Sequence, residues 1–473
     1  MKTQKKYRIE QGPYIISERK FGYLNDYPTL SRPAPMLEYN TISNAINKKI
    51  NKDKKLRNKY INHEEQLKLF KKTYFIDNCD EYIELFKQNP INPEPELMKW
   101  WLGNRNSSKI TQEIDSIIQG STKFMMNKIN MIEKGESITK GDLYSSMKEM
   151  INRIVLWNPY GYNLLFAPIY STAKYRFKQL LKNKVIYAED MDLNSLYEKF
   201  RSIKKTKEFK FFESDLSKQD RQTDAHSLAF EYMLYEKLGV PIHINNFYKL
   251  QHKNTRLTHS NFRTQTKPKR HTGQTTVGFG NIINNMRTYA QLFNDKEFDF
   301  VCLLGDDLLA GMDCNIDFKK LSKYVQVYHN MESTYTVKEE SGLFCQLIVT
   351  RTEYNYLICP NIIRLEDRLR SLYRIGENVF EDVIIPKIIS YCWLIGKNDD
   401  TDTICRKYQY PEVKYNNYTL QELIYCNALY HECGEYDILI IYENMIKCML
   451  NPSLNIVTQE IITDIQMGKK SMK

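Results

Sequence analysis

Three aspartates carry the first chemical signal in this chain. Gly305-Asp306-Asp307 interrupts the apolar run FDFVCLLGDDLLAG, residues 298–311. Upstream, FKFFESDLSKQD ends a strand-like run at Asp215, and Asp220 comes five residues later. Adjacent carboxylates at the tip of a hydrophobic hairpin repel one another and stay hydrated or bind a cation. A second carboxylate strand beside them supplies the all-oxygen donor set that Mg²⁺ takes, with room for phosphate oxygens. Two-metal phosphoryl or nucleotidyl transfer requires such a set. The bland alternative for Asp306-Asp307 is a polar hairpin turn, which the flanking apolar strands permit.

Between the two carboxylate segments, from Lys237 to Asn294, there is no Asp or Glu. That stretch holds Lys249, Lys253, Arg256, Arg263, Lys267, Lys269, Arg270 and four interleaved His. A solvated face normally mixes signs, so a phosphate-facing groove is the better reading than an exposed basic loop. After its densest cluster comes HTGQTTVGFGN, residues 271–281, entering a helix at about Ile282. Glycines and hydroxyls in a loop before a helix N-terminus let the backbone approach a phosphate or sugar closely.

The elements that must position these groups follow from local pattern. Phe209 to Asp215 alternates as a strand. DAHSLAFEYMLYEKLG, from Asp224, keeps helical spacing and stops at Gly239. A long helix is expected through LLFAPIYSTAKYRFKQLLKN, a Lys-rich helix over 44–72, and further helix from about 109 to 155. YTVKEESGLFCQLIV reads as strand, tight turn and strand, and the chain beyond about 360 as mainly helical.

At 473 residues the chain exceeds one ordinary core, so two or three subdomains are expected. The net charge of +11 favours a polyanionic partner. Ten scattered Cys without a Cys-x-x-Cys pair read as reduced intracellular thiols. Cys426, His431 and Cys433 lack a fourth ligand at zinc spacing. The N-terminus has no apolar signal region, and no run approaches the roughly 20 apolar residues of a membrane span.

In this order the motifs resemble those of viral RNA-dependent RNA polymerases, specifically of the alphavirus-like superfamily of positive-strand RNA viruses. The likeness extends over roughly residues 90–375. ESDLSKQD (213–220) is similar to that family's motif A, TGQTTVGFGN (272–281) to motif B and LLGDDLL to motif C. Val337-Lys338 followed by Phe344-Cys345 resembles motif D running into motif E. There are departures. Motif B opens Thr272-Gly273 where Ser-Gly is usual, and the family's Thr falls where this chain has Val277, one position after Thr276. For motif F, Arg153 is the best positional match, with Lys148 and Lys140 nearby.

The resemblance implies an α+β right-hand polymerase fold of fingers, palm and thumb, with an antiparallel palm sheet flanked by helices. Residues 1–205 would form the N-terminal region and fingers, 241–270 a basic fingers insertion, 206–240 and 271–358 the palm, and 359–473 a helical thumb. Asp215 and Asp306 would bridge two Mg²⁺ ions (or Mn²⁺ in their place), with Asp307 supporting. Asp220 and Asn281 would recognise the ribose 2′-hydroxyl, and Thr272, Gly273, Thr276 and Arg153 would help hold the nucleotide. Lys338 would act as general acid toward pyrophosphate, and Phe344-Cys345 as primer grip. Lys253, Arg256, Arg263, Lys267, Lys269 and Arg270 would line an RNA channel. Implied partners are template and product RNA, ribonucleoside triphosphates, and separately supplied capping and helicase proteins. The implied location is the host cytoplasm, with membrane association through partners. A reverse-transcriptase-like enzyme remains an alternative, though Leu304-Gly305 and Asn281 argue against it. An inactive RNA-binding replication factor is another, against which the intact Asp215, Asp306 and Asp307 speak.

Overall fold

A computed structural model of the protein describes residues 59–95, 128–134, 138–139 and 153–361 with short gaps, plus 31–32 and scattered positions between 98 and 120. Along the chain, helices α1 (His63–Tyr74) and α2 (Cys79–Gln88) precede strands β1 (Lys128–Lys134) and β2 (Arg153–Trp157). Helix α3 (Tyr160–Gln179), strand β3 (Val185–Tyr187), helix α4 (Leu193–Ser202) and strand β4 (Lys210–Leu216) follow. Next come α5 (Ala225–Lys237), α6 (Ile242–Lys249), β5 (Thr255–Thr258), β6 (Arg263–Thr266) and α7 (Val277–Asp295). The hairpin β7 (Phe298–Leu304) and β8 (Asp307–Met312) leads to α8 (Phe318–His329) and β9 (Ser333–Lys338). Strands β10 (Ser341–Phe344), β11 (Leu347–Arg351) and β12 (Tyr356–Pro360) complete the described part. The protein is thus a mixed α+β structure.

The central sheet runs β9-β4-β8-β7-β3, antiparallel except for the β3–β7 pair. Its side chains sort by the two-residue period of a strand. Phe212 and Leu216 on β4, Val301 and Leu303 on β7, and Leu308, Ala310 and Met312 on β8 join a core shared with α1, α3, α5 and α7. Phe211, Phe300, Cys302 and Leu309 point the other way and join Phe344, Leu347, Val349, Tyr356 and α4. Helix α7 is buried through most of its length, Asn281, Asn284 and Asn285 included. It is tied to α1 where the Tyr74 hydroxyl donates to the Met286 carbonyl at 2.8 Å.

Five of the chain's tyrosines, Tyr162, Tyr170, Tyr232, Tyr235 and Tyr248, lie in one buried group between α3, α5 and α6. Tyr170 packs against Tyr248 at 4.5 Å and Tyr235 at 5.0 Å between ring centroids. Buried phenols need partners. Tyr162 donates to Gln251 Oε1 at 2.8 Å, Tyr232 meets His252 Nδ1 at 2.6 Å, and Tyr248 meets Thr276 Oγ1 at 2.8 Å. Burial drives the His252 imidazole down to about 3, so it is neutral beside Tyr232.

Three expectations change. The segment expected to be helical from 109 to 155 contains β1 and most of β2, which pair antiparallel; the apolar runs in KINMIEK and RIVLW are short enough to fit a strand or a helix. YTVKEESGLFCQLIV runs through three strands, not two: β9 pairs with β4, and the chain then crosses to a second sheet, where β10 closes a hairpin with the start of β11. Helix α7 begins at Val277, before the expected start near Ile282. The Lys-rich segment 44–58 and everything beyond 361, including the expected terminal helices, lie outside the described residues.

Candidate active site

The apolar–Gly–Asp–Asp–apolar pattern closes into a hairpin whose loop is Gly305-Asp306, with Leu304 opposite Asp307. Gly305 adopts φ +60, and an added Cβ there would meet nothing within 4 Å. Backbone conformation, not space, demands glycine at this position. Glycine at the first central residue with φ above zero is the two-residue turn whose twist matches paired strands.

Asp307 stands directly opposite Asp215 in the β8–β4 ladder. Opposed residues of an antiparallel pair project to one face, with Cα atoms about 4.5–5.5 Å apart. Asp306 and Asp307 are exposed. Partial withdrawal from solvent, and then the neighbouring Asp306 charge, hold the Asp215 carboxyl above its usual range. The three aspartates together offer only carboxylate oxygens, and among the described residues no cation offsets the Asp306 charge at Asp215. Among the described residues no three acidic, His or Cys groups converge tightly enough to form a ready-made metal cage.

Helix α7 presents two of its asparagines to this end of the sheet. Asn281 Nδ2 donates to Asp220 Oδ1 at 3.0 Å, and Asn285 Nδ2 donates to the Asp306 carbonyl at 3.0 Å. Asn281 and Asn285 are four residues apart, hence on one helical face. The buried Oδ1 of each has no hydrogen-bond partner among the described residues. Gln219, in the helical turn Gln219–Gln222, donates to the Asn281 carbonyl at 2.9 Å, so the segment carrying Asp220 is fastened to α7 twice.

Beside the aspartates, Cys345 Sγ lies 3.4 Å from Asp307 Oδ2, and Cys345 has φ +56. Phe344 is buried in the core under the three-stranded sheet. Glu213, on the Asp215 face of β4, accepts from the Leu343 amide at 2.7 Å and pairs with Lys338 Nζ at 3.4 Å. Lys338 sits opposite Phe211, four register positions from Asp215, which is about 13 Å along the strand. The structure does not bring Lys338 to the carboxylates.

The basic residues divide. Lys253 and Arg256 are exposed. Arg263 opens β6, paired with Thr258, and Arg153 opens β2, paired with Lys134. Lys267 and Thr272 lie outside the described residues. Lys269 and Arg270 are buried, and Arg270, expected at RNA phosphates, is instead ion-paired with Glu231 of α5 at side-chain exposures of 0% and 2%. A guanidinium so enclosed is not open to a polyanion. Gly273 is half-buried, and Thr276 is buried with its hydroxyl on Tyr248.

Sequence reasoning missed Asn285, Glu213 and the Arg270–Glu231 pair. Only Asn285 left a signal, the i,i+4 spacing from Asn281.

A family model described as RNA dependent RNA polymerase matches residues 47–432. The chain is 20% identical over 310 residues to the replicase large subunit of Turnip vein-clearing virus, covering 64% of this chain and 19% of that protein. It is also similar to the replicase large subunit of Odontoglossum ringspot virus (isolate Korean Cy), at 20% identity over 61% of this chain and 18% of that one. It is 24% identical to the RNA-directed RNA polymerase 2a of Tomato aspermy virus, over 45% of this chain and 24% of the other. The chain spans about a fifth of the length of the curated relatives it matches.

Proposed function

The chain belongs to the RNA-dependent RNA polymerase family, and from that premise we propose that it adds ribonucleoside triphosphates to an RNA 3′ end on an RNA template, copying a viral genome. The observation that carries this reading is the register that sets Asp307 against Asp215 with Asp306 on the adjoining turn. On this reading the palm (206–240 and 271–358) holds α7 and every strand of the central sheet except β3, which comes from the segment before it. Residues 1–205 make up the N-terminal region and fingers, 241–270 a fingers insertion, and 359–473 the thumb.

The donor set fits Mg²⁺ or Mn²⁺, because closely placed exposed carboxylates supply the all-oxygen donors that hard divalent cations take. Two such ions, held by Asp215, Asp306 and Asp307, would supply the Lewis acidity that activates the 3′-hydroxyl and neutralises departing pyrophosphate. The chain's own residues orient the substrate. Asn281 Oδ1, buried without a partner among the described residues, can accept the ribose 2′-hydroxyl proton, and Asp220, held by Asn281 Nδ2, can take a second bond from the same sugar. Asn285 fixes the turn that carries Asp306. For Lys338 to protonate pyrophosphate it would first have to leave Glu213, so Glu213 is its resting partner. Cys345 and the turn after Phe344 border Asp307, where a primer end would lie.

No helix among the described residues is long and apolar enough to cross a membrane. On this reading the enzyme works in the host cytoplasm, and any membrane attachment comes through other replication proteins, capping and helicase functions among them. The test is primer extension on an RNA template by purified protein in Mg²⁺. Synthesis should be lost in Asp306→Asn and Asp215→Ala with RNA binding retained; substantial synthesis by either variant would refute the assignment.

A further inference from the structure

The Arg270–Glu231 pair is costly to bury, since ions withdrawn from water repay their desolvation only with good geometry and further hydrogen bonds. Arg270 has two such contacts, its Nε alone lacking a partner among the described residues. One guanidinium nitrogen, Nη2, meets Glu231 Oε1, and the other, Nη1, donates to the Thr276 carbonyl at 3.1 Å. That carbonyl also accepts the Gly280 amide at 2.7 Å, the first helical bond of α7. Arg270 therefore joins α5 to the first turn of α7.

The joint is close-fitting. A Cβ at Gly280 would lie 2.3 Å from Arg270 Nη1 and 2.5 Å from Glu231 Oε2. No side chain fits there, and the guanidinium lies flat against the helix where Gly280 leaves room. The next residue is Asn281. The charge on Arg270 is also felt by Asp220, the partner of the Asn281 amide. Tyr235, donating to Glu231 at 3.3 Å, and Tyr248, bound to the Thr276 hydroxyl, close the surroundings with further polar contacts.

The geometry points to Arg270, held by Glu231 and seated on Gly280, as a positioning residue for sugar selection: it fixes the first turn of α7 so that Asn281 and Asp220 meet the ribose 2′-hydroxyl together. This rests on the proposed polymerase activity and deepens it. Arg270 touches no substrate; it acts through the helix start. Lysine in its place can keep the ion pair but lacks the second planar donor that reaches Thr276. Gly280→Ala tests the same joint from the other side. Alanine is the better helix former, so on helix propensity alone that change would be neutral or stabilising.

The experiment compares wild type, Arg270→Lys, Gly280→Ala and the double variant. Single-nucleotide extension is measured with a ribonucleotide and its 2′-deoxy counterpart, and hydrogen exchange is followed at the backbone amides of residues 277–281. Each single variant should lower the ribo-to-deoxyribo ratio of kcat/KM about fivefold or more, which is the loss of roughly one hydrogen bond's contribution. The loss should lie in KM for the ribonucleotide, with deoxyribonucleotide addition little changed. Exchange in the first turn of α7 should accelerate in both single variants, and the double variant should be no worse than either, because both break one joint. An unchanged ratio in either folded variant, or equal losses for both sugars, overturns the proposal. Should wild type fail to extend RNA at all, the polymerase reading falls. Exchange then decides the anchoring alone: unaltered rates overturn it and faster rates support it.

Discussion

Replacing Asn281 with alanine is the sharpest probe of the site, because two atoms of one side chain are removed with different consequences. Nδ2 no longer donates to Asp220 Oδ1, a bond of 3.0 Å, and the buried Oδ1 is no longer there to accept from the sugar. Leaving a buried polar group without its partner costs about 1–3 kcal/mol. At about 1.4 kcal/mol per factor of ten, that is roughly fivefold to 150-fold in kcat/KM. Asp220 is only half-buried and rehydrates, which favours the lower half of the range, so a loss near tenfold is expected. The loss should fall on ribonucleotides, since a deoxyribonucleotide offers no 2′-hydroxyl to either residue. The assay is single-nucleotide primer extension with matched ribo and deoxyribo substrates, including Asp220→Ala and the double variant. The two side chains touch, so their effects should be non-additive. Equal losses for both sugars in Asn281→Ala, or strict additivity in the cycle, would refute sugar recognition by this pair.

Asp306→Asn should abolish nucleotide addition yet raise the melting temperature at pH 7 without divalent cations. Asp215 has a raised folded pKa, so the folded state loses stability as pH rises through that range, and removing the Asp306 charge relieves part of the loss. The gain should vanish near pH 3, where the carboxyls are protonated; a pH-independent gain would dismiss the electrostatic account. Asn285→Ala, which frees the Asp306 carbonyl, should lower kcat about fivefold or more with little change in KM, and a pure KM effect would count against it. Neutralising the exposed Lys253 and Arg256 should weaken all RNA sequences alike and flatten the slope of log affinity against log salt by about 1.4, or about 0.7 per contact on single strands. An unchanged slope would remove both residues from the RNA path.

What was legible in the sequence was local. Period-two alternation in FKFFESDL and the glycine of the Gly-Asp-Asp turn depend on near neighbours, and β4, β7 and β8 fall where the pattern places them. The join from Asp215 to Asp307 followed from the order of motifs, although their opposition in the ladder needed the structure. Burial was not legible. Within an acid-free run every cation looks alike, and only the fold distinguishes exposed Arg256 from Arg270, whose partner Glu231 lies on a different helix. The segment 109–155 misled because short apolar runs fit helix and strand equally, and pairing between β1 and β2 decided it. Likewise, no local signal says that the chain between Lys338 and Ser341 changes sheets.

The pairing of β4 with both β8 and β9 has a kinetic meaning. The Cα separation of Asp215 and Asp307 is set by a ladder hydrogen-bonded on both sides of β4 and packed on both faces of the sheet. Changing that length means breaking paired backbone bonds, an event of local unfolding rather than of turnover. The Asp306 backbone is tied to Asn285. Any rearrangement that gathers the carboxylates around a cation therefore has side-chain rotation as its cheapest route, on the fast timescale of exposed rotamers. The sheet is the fixed ruler of the site, and the χ angles of its three aspartates are the moving parts.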